Sequence, residues 1–380
     1  MADIASMNGV AAASIAAVNG VAKAAIAKLG GVDMPASGAS LWCLLGADGA
    51  VGTAAASDLN AWVCYVSAGM SSKDYNNIAY GKDGSGNPLW VAVNENGTKE
   101  LRYASDPTAG IGAWSNVNLD NAPAGVGWGN NVWLACGGGG KVYRSTSGTT
   151  GWSLLDLSGV TGWASDITIY EIVSDGAGNW MFAQGQSVFS STDDGSTWAR
   201  VVDFTSWSGT DLDTDYKAYT MAYNKTSARW LVFLRKTSNS RIYYAAAADT
   251  SAWTGATVGE VAQSGQALVN SAARRMASGG NTVIIGSSND TSSSTNGGAD
   301  WTKNTNDLPR TDVRDFAADG NGNWVAVHDS GRVSISTNDG DSWAEQTGVQ
   351  QGANTNMRFP TGGSNVENLD AVAADVFLPV

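Results

Sequence analysis

Two separate sequence periods, each traceable seven times through the 380 residues, predict an all-β fold: a seven-bladed β-propeller of four-stranded antiparallel blades. A compositional observation points the same way. Tryptophan (16) and glycine (47) are in excess while proline (7) is scarce, as expected of repeated strands and tight turns. The chain divides into a short N-terminal repeat arm, residues 1–37, and a propeller, residues 38–380, closed by a C-terminal strand.

The first period is a strand, an Asp-Gly-x-Gly-Asn reversal and an apolar strand led by Trp. It reads Asp83-Gly-Ser-Gly-Asn87 before Trp90, Asp175-Gly-Ala-Gly-Asn179 before Trp180, and Asp319-Gly-Asn-Gly-Asn323 before Trp324. Glycine supplies positive φ there, and the Asp and Asn side chains satisfy turn amides. Counting all leading positions gives Trp42, Trp90, Trp133, Trp180, Trp230, Val283 and Trp324.

The second period follows each of these. Its clearest copies are Ser191-Thr-Asp193-Asp-Gly195-Ser-Thr-Trp198, Ser294-Thr-Asn296-Gly-Gly298-Ala-Asp-Trp301 and Ser336-Thr-Asn338-Asp-Gly340-Asp-Ser-Trp343. Weaker copies end at Trp62, Trp114, Trp152 and Trp253. The mean spacing of these tryptophans, about 47 residues, suits four strands per blade. Thirteen of the sixteen tryptophans fall in the two sets of slots, which accounts for the excess. A four-stranded blade cannot bury both faces alone, so blades stack around an axis with aromatics filling the wedges.

Ring closure is also readable. The first blade begins at its Trp42 strand and lacks an inner strand before it. Leu369-Asp-Ala-Val-Ala-Ala-Asp375 resembles Val313-Arg-Asp-Phe-Ala-Ala-Asp319, the inner strand of the last blade. The tail is therefore expected to supply the missing strand.

The arm has its own period of 11 residues: Ile4 to Val10, Ile15 to Val21 and Ile26 to Val32, with Asn-Gly or Gly-Gly inside each copy. An 11-residue period suits a right-handed helical supercoil. The repeated turn dipeptides oppose a helix and favour short strands reversed at each one. Such an arm has almost no core, so it is expected to dock on a partner or on copies of itself.

The Ser-x-Asp-x-Gly-x-x-Trp pattern resembles the Asp-box, or BNR repeat, of sialidases, sortilin-like receptors, photosystem-assembly factors and bacteriophage structural proteins. The Ile-Ala-x-x-Asn-Gly-Val arm resembles segments at the start of tailed-phage virion proteins. Together these resemblances imply an Asp-box propeller carried on a virion, anchored by Ile4, Val10, Ile15, Val21, Ile26 and Val32. In the resemblance the box residues Ser191, Asp193, Gly195, Trp198, Ser294, Asn296, Gly298, Trp301, Ser336, Asn338, Gly340 and Trp343 are structural.

Charge and chemistry narrow the function. A formal charge of −13 disfavours binding to nucleic acid, which needs a basic face. One His excludes a multi-histidine metal or acid–base centre. Cys43, Cys64 and Cys136 show no CxxC spacing; buried free thiols are expected, with a Cys43–Cys64 bridge as the alternative. The N-terminus lacks a basic n-region, and its apolar stretch is too interrupted to span a membrane. The Arg-Ile-Pro signature of sialidases is absent, and Arg102, Arg144, Arg241 and Arg332 fall in different blades, so no arginine clamp is expected. His328-Asp329-Ser330 contains triad residue types, but consecutive strand side chains point to opposite faces.

Three binding candidates remain. Asp211, Asp213 and Asp215 alternate as calcium favours, although the following Gly and distal Glu of an EF-hand are missing; a solvated acidic loop competes. Trp163 and Trp207 lie in connections between blades, with Tyr216 nearby; Tyr75 and Tyr219 join them. Exposed aromatics there suit stacking on sugar or a protein partner, against the simpler role of covering a blade edge. The expectation is a non-enzymatic, oligomeric virion protein of the tail or capsid, assembled in the host cytoplasm. Its arm binds other virion proteins, and its propeller decorates the particle or binds a host glycan or receptor. The alternatives are a secreted carbohydrate-active propeller, lectin or glycosidase, and an assembly factor docking on a membrane complex.

Overall fold

The computed structural model describes residues 41–46, 49–66, 75–94, 99–109, 112–206, 217–235, 240–255, 257–258, 275–287, 290–304, 307–309, 313–346, 350–351 and 369–374, plus six two-residue strands between 6 and 33. Seven antiparallel meanders follow one another along the chain. Blade 1 runs Leu369–Ala374, Leu41–Gly46, Ala50–Ala55 and Val63–Val66 from the inside outward. Blades 2 to 7 begin with inner strands Tyr75–Lys82, Pro123–Gly129, Ile172–Ser174, Lys217–Asn224, Met276–Gly279 and Val313–Ala318. Neighbouring inner strands touch all the way round, including the last with the first.

Closure occurs as the sequence predicts. Leu369–Ala374 pairs antiparallel with Leu41–Gly46, placing Ala374 opposite Trp42. Both ends of the ring are thereby held in one sheet. The outer rim is stitched too: Gln350–Gln351, which follows blade 7, lies parallel to the outer strand of blade 1. Thr257–Val258 does the same between blades 5 and 6.

The core is distributed between blades. Seven clusters of buried side chains lie among the described residues, each joining two neighbouring blades. Trp42, Trp90, Trp133, Trp180, Trp230 and Trp324 are at most 1% exposed, and Val283 is fully buried in the corresponding slot. Each burial of this size contributes on the order of 3 kcal/mol, so the seven positions dominate inter-blade adhesion. Cys43, Cys64 and Cys136 are free and buried, and burial pushes each thiol up.

Both turn families repeat their side-chain-to-backbone hydrogen bonds in their clearest copies. Asp83, Asp175 and Asp319 each use one carboxylate oxygen to accept two backbone N–H groups, the second from Asn87, Asn179 or Asn323 at 2.9, 3.1 and 3.1 Å. In the Ser-x-Asp/Asn turns the Ser hydroxyl accepts from the Gly N–H: Gly195 to Ser191 at 2.9 Å, Gly298 to Ser294 at 2.8 Å and Gly340 to Ser336 at 2.9 Å. Asp193, Asn296 and Asn338 accept the N–H of Thr197, Asp300 and Ser342 across the reversal at 2.8, 2.9 and 3.1 Å. Trp198 and Trp301 then donate their indole N–H to the glycine carbonyl. These acids and amides are committed to the backbone.

In the arm, Met7 faces Val10, Val18 faces Val21 and Leu29 faces Val32 in three antiparallel hairpins of one shared register. The Asn-Gly and Gly-Gly dipeptides between the paired strands lie outside the described residues. Val10, Val21 and Val32 sit on these strands; Ile4, Ile15 and Ile26 lie outside the described residues.

Candidate functional site

An antiparallel meander places inner-strand starts, connections between blades and second-to-third-strand turns on one face, here the crossover face. The Asp-Gly-x-Gly-Asn and Ser-x-Asp/Asn turns occupy the opposite face. The chemistry of interest lies where the crossover face meets the axis.

One level of the inner strands is polar. Asn77, Thr220 and Asp315 each follow a bulge and face the residue three past the leading Trp of the adjacent strand. Gly125 and Ala371 hold the same register in blades 3 and 1, and Glu171 and Arg275 immediately precede the paired residues of blades 4 and 6. An inner strand is a sheet edge, so its outward N–H groups need partners from outside the blade. Side chains of the preceding blade supply them. Val126 N–H donates to Asn77 (3.1 Å), Met221 to Glu171 (2.8 Å), Met276 to Thr220 (3.0 Å) and Val372 to Asp315 (3.1 Å). Thr220 also donates its hydroxyl to Glu171, giving a relay across three blades.

Blade 6 breaks the series, because Arg275 has no acceptor to offer. Phe316 N–H is instead met by its own neighbour, Asp315, at 2.9 Å. Arg275 reaches back to Glu171 at 3.5 Å, with side chains only 12% and 16% exposed. Burial raises the Glu171 carboxyl, opposed by Arg275 and by the bonds from Thr220 and Met221. Burial likewise pushes Asp315 up to about 7, with Arg275 again opposing. Arg275 thus pairs with Glu171 and also opposes the upward shift of Asp315.

Above this level lies the connection from blade 3 to blade 4. Gln184, buried at the end of its strand, accepts from Ala164 N–H at 2.9 Å and donates to the carbonyls of Ala164 (2.7 Å) and Ile167 (2.9 Å). Trp163 is half-buried, donates its indole N–H to the Gly140 carbonyl at 2.9 Å and packs beside Leu155 and Val160. Ile169 is fully buried, with its N–H on the Gly137 carbonyl. A connection held at four points nevertheless presents Ile167 (38% exposed) and Tyr170 (37% exposed) to solvent. Tyr170 stacks on Tyr219 of blade 5, centroids 5.6 Å apart and planes 11° from parallel. Arg235 lies 3.6 Å from the centroid of the Tyr219 ring.

Among the described residues, the fold separates the sequence candidates. Trp207, Tyr216, Asp211, Asp213 and Asp215 lie outside the described residues, and Trp163 is a fastening of the connection. Tyr75 is fully buried. Arg102 pairs with Glu100, Arg144 donates to the Asp194 carbonyl and Arg332 pairs with Glu345, so these three serve separate blades. His328 Nε2 meets Ser334 Oγ at 2.9 Å, whereas Asp329 pairs with Arg314, so the two have different partners. No group of three or more His, Cys, Asp or Glu side chains arranged to hold a metal occurs among the described residues. Sequence reading missed Glu171 and Asp315, although each stands four residues before the Asp of an Asp-Gly-x-Gly-Asn turn.

No family model matches the chain, and no curated protein matches it. Among solved structures it is similar to a GH74 xyloglucanase from Xanthomonas campestris, at 13% identity and a TM-score of 0.54 over 79% of this chain and 51% of that one. The chain therefore spans about half the length of that xyloglucanase. It is also similar to YCF48 from Cyanidioschyzon merolae, at 11% identity and a TM-score of 0.50 over 72% and 85% of the two chains. A structure of YCF48 bound to D1 peptide aligns at 14% identity and a TM-score of 0.49 over 72% and 81%. At these identities the likeness shows the propeller fold alone.

Proposed function

We propose that this chain is a non-enzymatic virion structural protein of a tailed bacteriophage, anchored by its arm and engaging the host surface through the crossover face. The observation that carries this reading is the pairing of two unlike units. Three hairpins of identical register repeat every 11 residues, and they precede a ring that holds apolar side chains in solvent on a fastened connection. A periodic arm suits attachment to a periodic partner such as a tail or capsid lattice. The Ser-x-Asp/Asn turns support its kinship with the Asp-box propellers of phage particles.

A glycoside hydrolase is the competing reading, favoured by the fold likeness to a xyloglucanase. It needs two carboxylates facing each other across a cleft. The two buried axial carboxylates, Glu171 and Asp315, are instead occupied by backbone N–H groups at blade junctions. Their work is to hold blades together. Immunogold labelling of purified phage particles with antibody to residues 38–380 tests the proposal: label on tails or capsids is expected. Particles free of the protein, together with polysaccharide hydrolysis abolished by Glu171→Gln, refute it.

A further inference from the structure

Asparagine followed by glycine occurs five times in the chain, at 8–9, 19–20, 96–97, 296–297 and 321–322. The last two pairs are described, and the fold treats them in opposite ways. Both stand in tight reversals on the face opposite the crossovers, and Asn296 and Asn321 are both exposed. Asn296 is nevertheless committed at each polar atom of its side chain. Its Oδ1 accepts from the Asp300 N–H and from the Ser294 hydroxyl, each at 2.9 Å, and its Nδ2 donates to Asp300 Oδ2 at 2.7 Å. The following Gly297 is buried, with its N–H on the Asn281 carbonyl at 3.0 Å. Asn321 shares none of this. Its backbone N–H donates to Asp319 Oδ1 at 2.7 Å, and Asn323 completes that clamp with both its backbone and side-chain N–H groups. Among the described residues, neither the Asn321 side-chain amide nor the Gly322 N–H makes a hydrogen bond. Gly322, at φ +90°, has no side chain to obstruct an approach, and only Asp339, at 3.8 Å, stands near the place a Cβ would take.

We propose that Asn321 is a site of spontaneous deamidation, with the Gly322 nitrogen as nucleophile and water as co-reactant, while the fold shields Asn296. In the first step the Gly322 nitrogen bonds to Asn321 Cγ and the Cγ–Nδ2 bond breaks. The Gly322 N–H proton passes through solvent to the departing nitrogen, which leaves as ammonia. Water then adds to either carbonyl of the cyclic imide and opens it, giving aspartate or isoaspartate at 321. The same step at Asn296 must first break its three side-chain hydrogen bonds and the Gly297–Asn281 bond, which slows it by at least about tenfold.

The consequence falls on blade 7. The new carboxylate stands two residues from Asp319, whose Oδ1 holds the N–H groups of residues 321 and 323 together. Isoaspartate also lengthens the backbone between those two groups by one methylene. The Gly322 carbonyl, which accepts from Asp339 N–H at 2.9 Å and so ties the two turns of this blade, is displaced with them. Blade 7 also carries Asp315, which holds the closing strand through Val372. Deamidation at Asn321 therefore ages the blade at the seam of the ring.

The test incubates the full chain, folded or in guanidinium chloride, in mildly alkaline heavy-oxygen water. Mass spectrometry then follows the tryptic peptides 315–332 and 276–303, which carry the two sites separately. In the folded chain Asn321 should exchange its NH2 for labelled OH at least about tenfold faster than Asn296. In denaturant the two rates should converge, because hydrogen bonding no longer distinguishes the pairs. Asn321→Gln removes no side-chain hydrogen bond and slows ring closure, so it should keep its melting temperature through an incubation that lowers the parent's. Equal rates at the two sites in the folded chain overturn the proposal. So does a gap that persists undiminished in denaturant, which would place its cause outside the fold. An equal change of melting temperature in the parent and in Asn321→Gln overturns it as well.

Discussion

Replacing Gly298 by Ala separates the two reasons why the Ser-x-Asn turn needs glycine. The residue sits at φ +87°, and a Cβ there would lie 1.9 Å from Leu231 Cδ2 and 3.1 Å from its Cγ. The backbone part costs about 1 kcal/mol, the price of a left-handed conformation for an L-residue. The steric part is larger, because Leu231 cannot retreat: it is fully buried in blade 5 and belongs to the cluster with Phe233, Val283 and Trp301. Overpacking of this kind costs roughly 1–3 kcal/mol, so Gly298→Ala should lose about 2–4 kcal/mol in equilibrium urea unfolding. Gly86 supplies the reference, with φ +84° and nothing within 4 Å of its would-be Cβ. Gly86→Ala should therefore lose only about 1 kcal/mol. Adding Leu231→Ala to Gly298→Ala should recover part of the loss, since the cavity left by one accepts the methyl of the other; a coupling of at least about 1 kcal/mol is expected. If Gly298→Ala is no worse than Gly86→Ala, or the double variant is simply additive, the packing of turns onto the preceding blade is not what stabilises this ring.

Three further outcomes follow from the same structure. Ending the chain at residue 368 removes the strand that pairs with Leu41–Gly46 and the buried Val372, exposing the Trp42 cluster; calorimetry should show the main transition lowered by more than about 10 °C or lost. The Asp315 carboxyl is held near 7 in the fold against about 4 in the unfolded chain, so its contribution to stability is full below pH 4 and is lost as pH rises to 7. Urea midpoints should fall between pH 5 and pH 8, and Asp315→Asn should flatten that slope, on the order of 1.4 kcal/mol per pH unit at its steepest; a slope unchanged in the variant refutes the assignment. Asp193→Asn should be nearly neutral because Asn296 and Asn338 already do its work, while Asp193→Ala should cost about 1–2 kcal/mol by freeing the Thr197 N–H.

What was legible in the sequence was whatever recurs. Blade number, leading tryptophans, turn residues and the closing strand all repeat a pattern, so one copy interprets the others. The junction residues do not repeat in kind. Asn77, Glu171, Thr220, Arg275 and Asp315 occupy one register, but an amide, an alcohol or a carboxylate can each accept an N–H, so chemistry there varies while geometry persists. Bulges shift the spacing in several blades and hide the register further. The exposed Ile167 and Tyr170, on the connection from blade 3 to blade 4, were missed for the opposite reason: they match no repeat. Trp163 stands out in the sequence as a tryptophan outside the repeat slots, in a connection between blades, whereas the fold uses it to fasten that connection and displays its neighbours.

The site of closure also decides how the ring bears a mechanical load. Under the proposed anchoring, tension along the arm would enter the propeller at Leu41, the start of a strand flanked by Leu369–Ala374 on one side and Ala50–Ala55 on the other. Pulled along its length, that strand cannot be peeled away one bond at a time, because two ladders resist in shear together. The load then passes into blade 7 through the Asp315–Val372 contact and into the rim through Gln350–Gln351. A tether attached to an edge strand would unzip its blade; a pull at Leu41 would instead load an interior strand of a five-stranded sheet, one in from the closing strand.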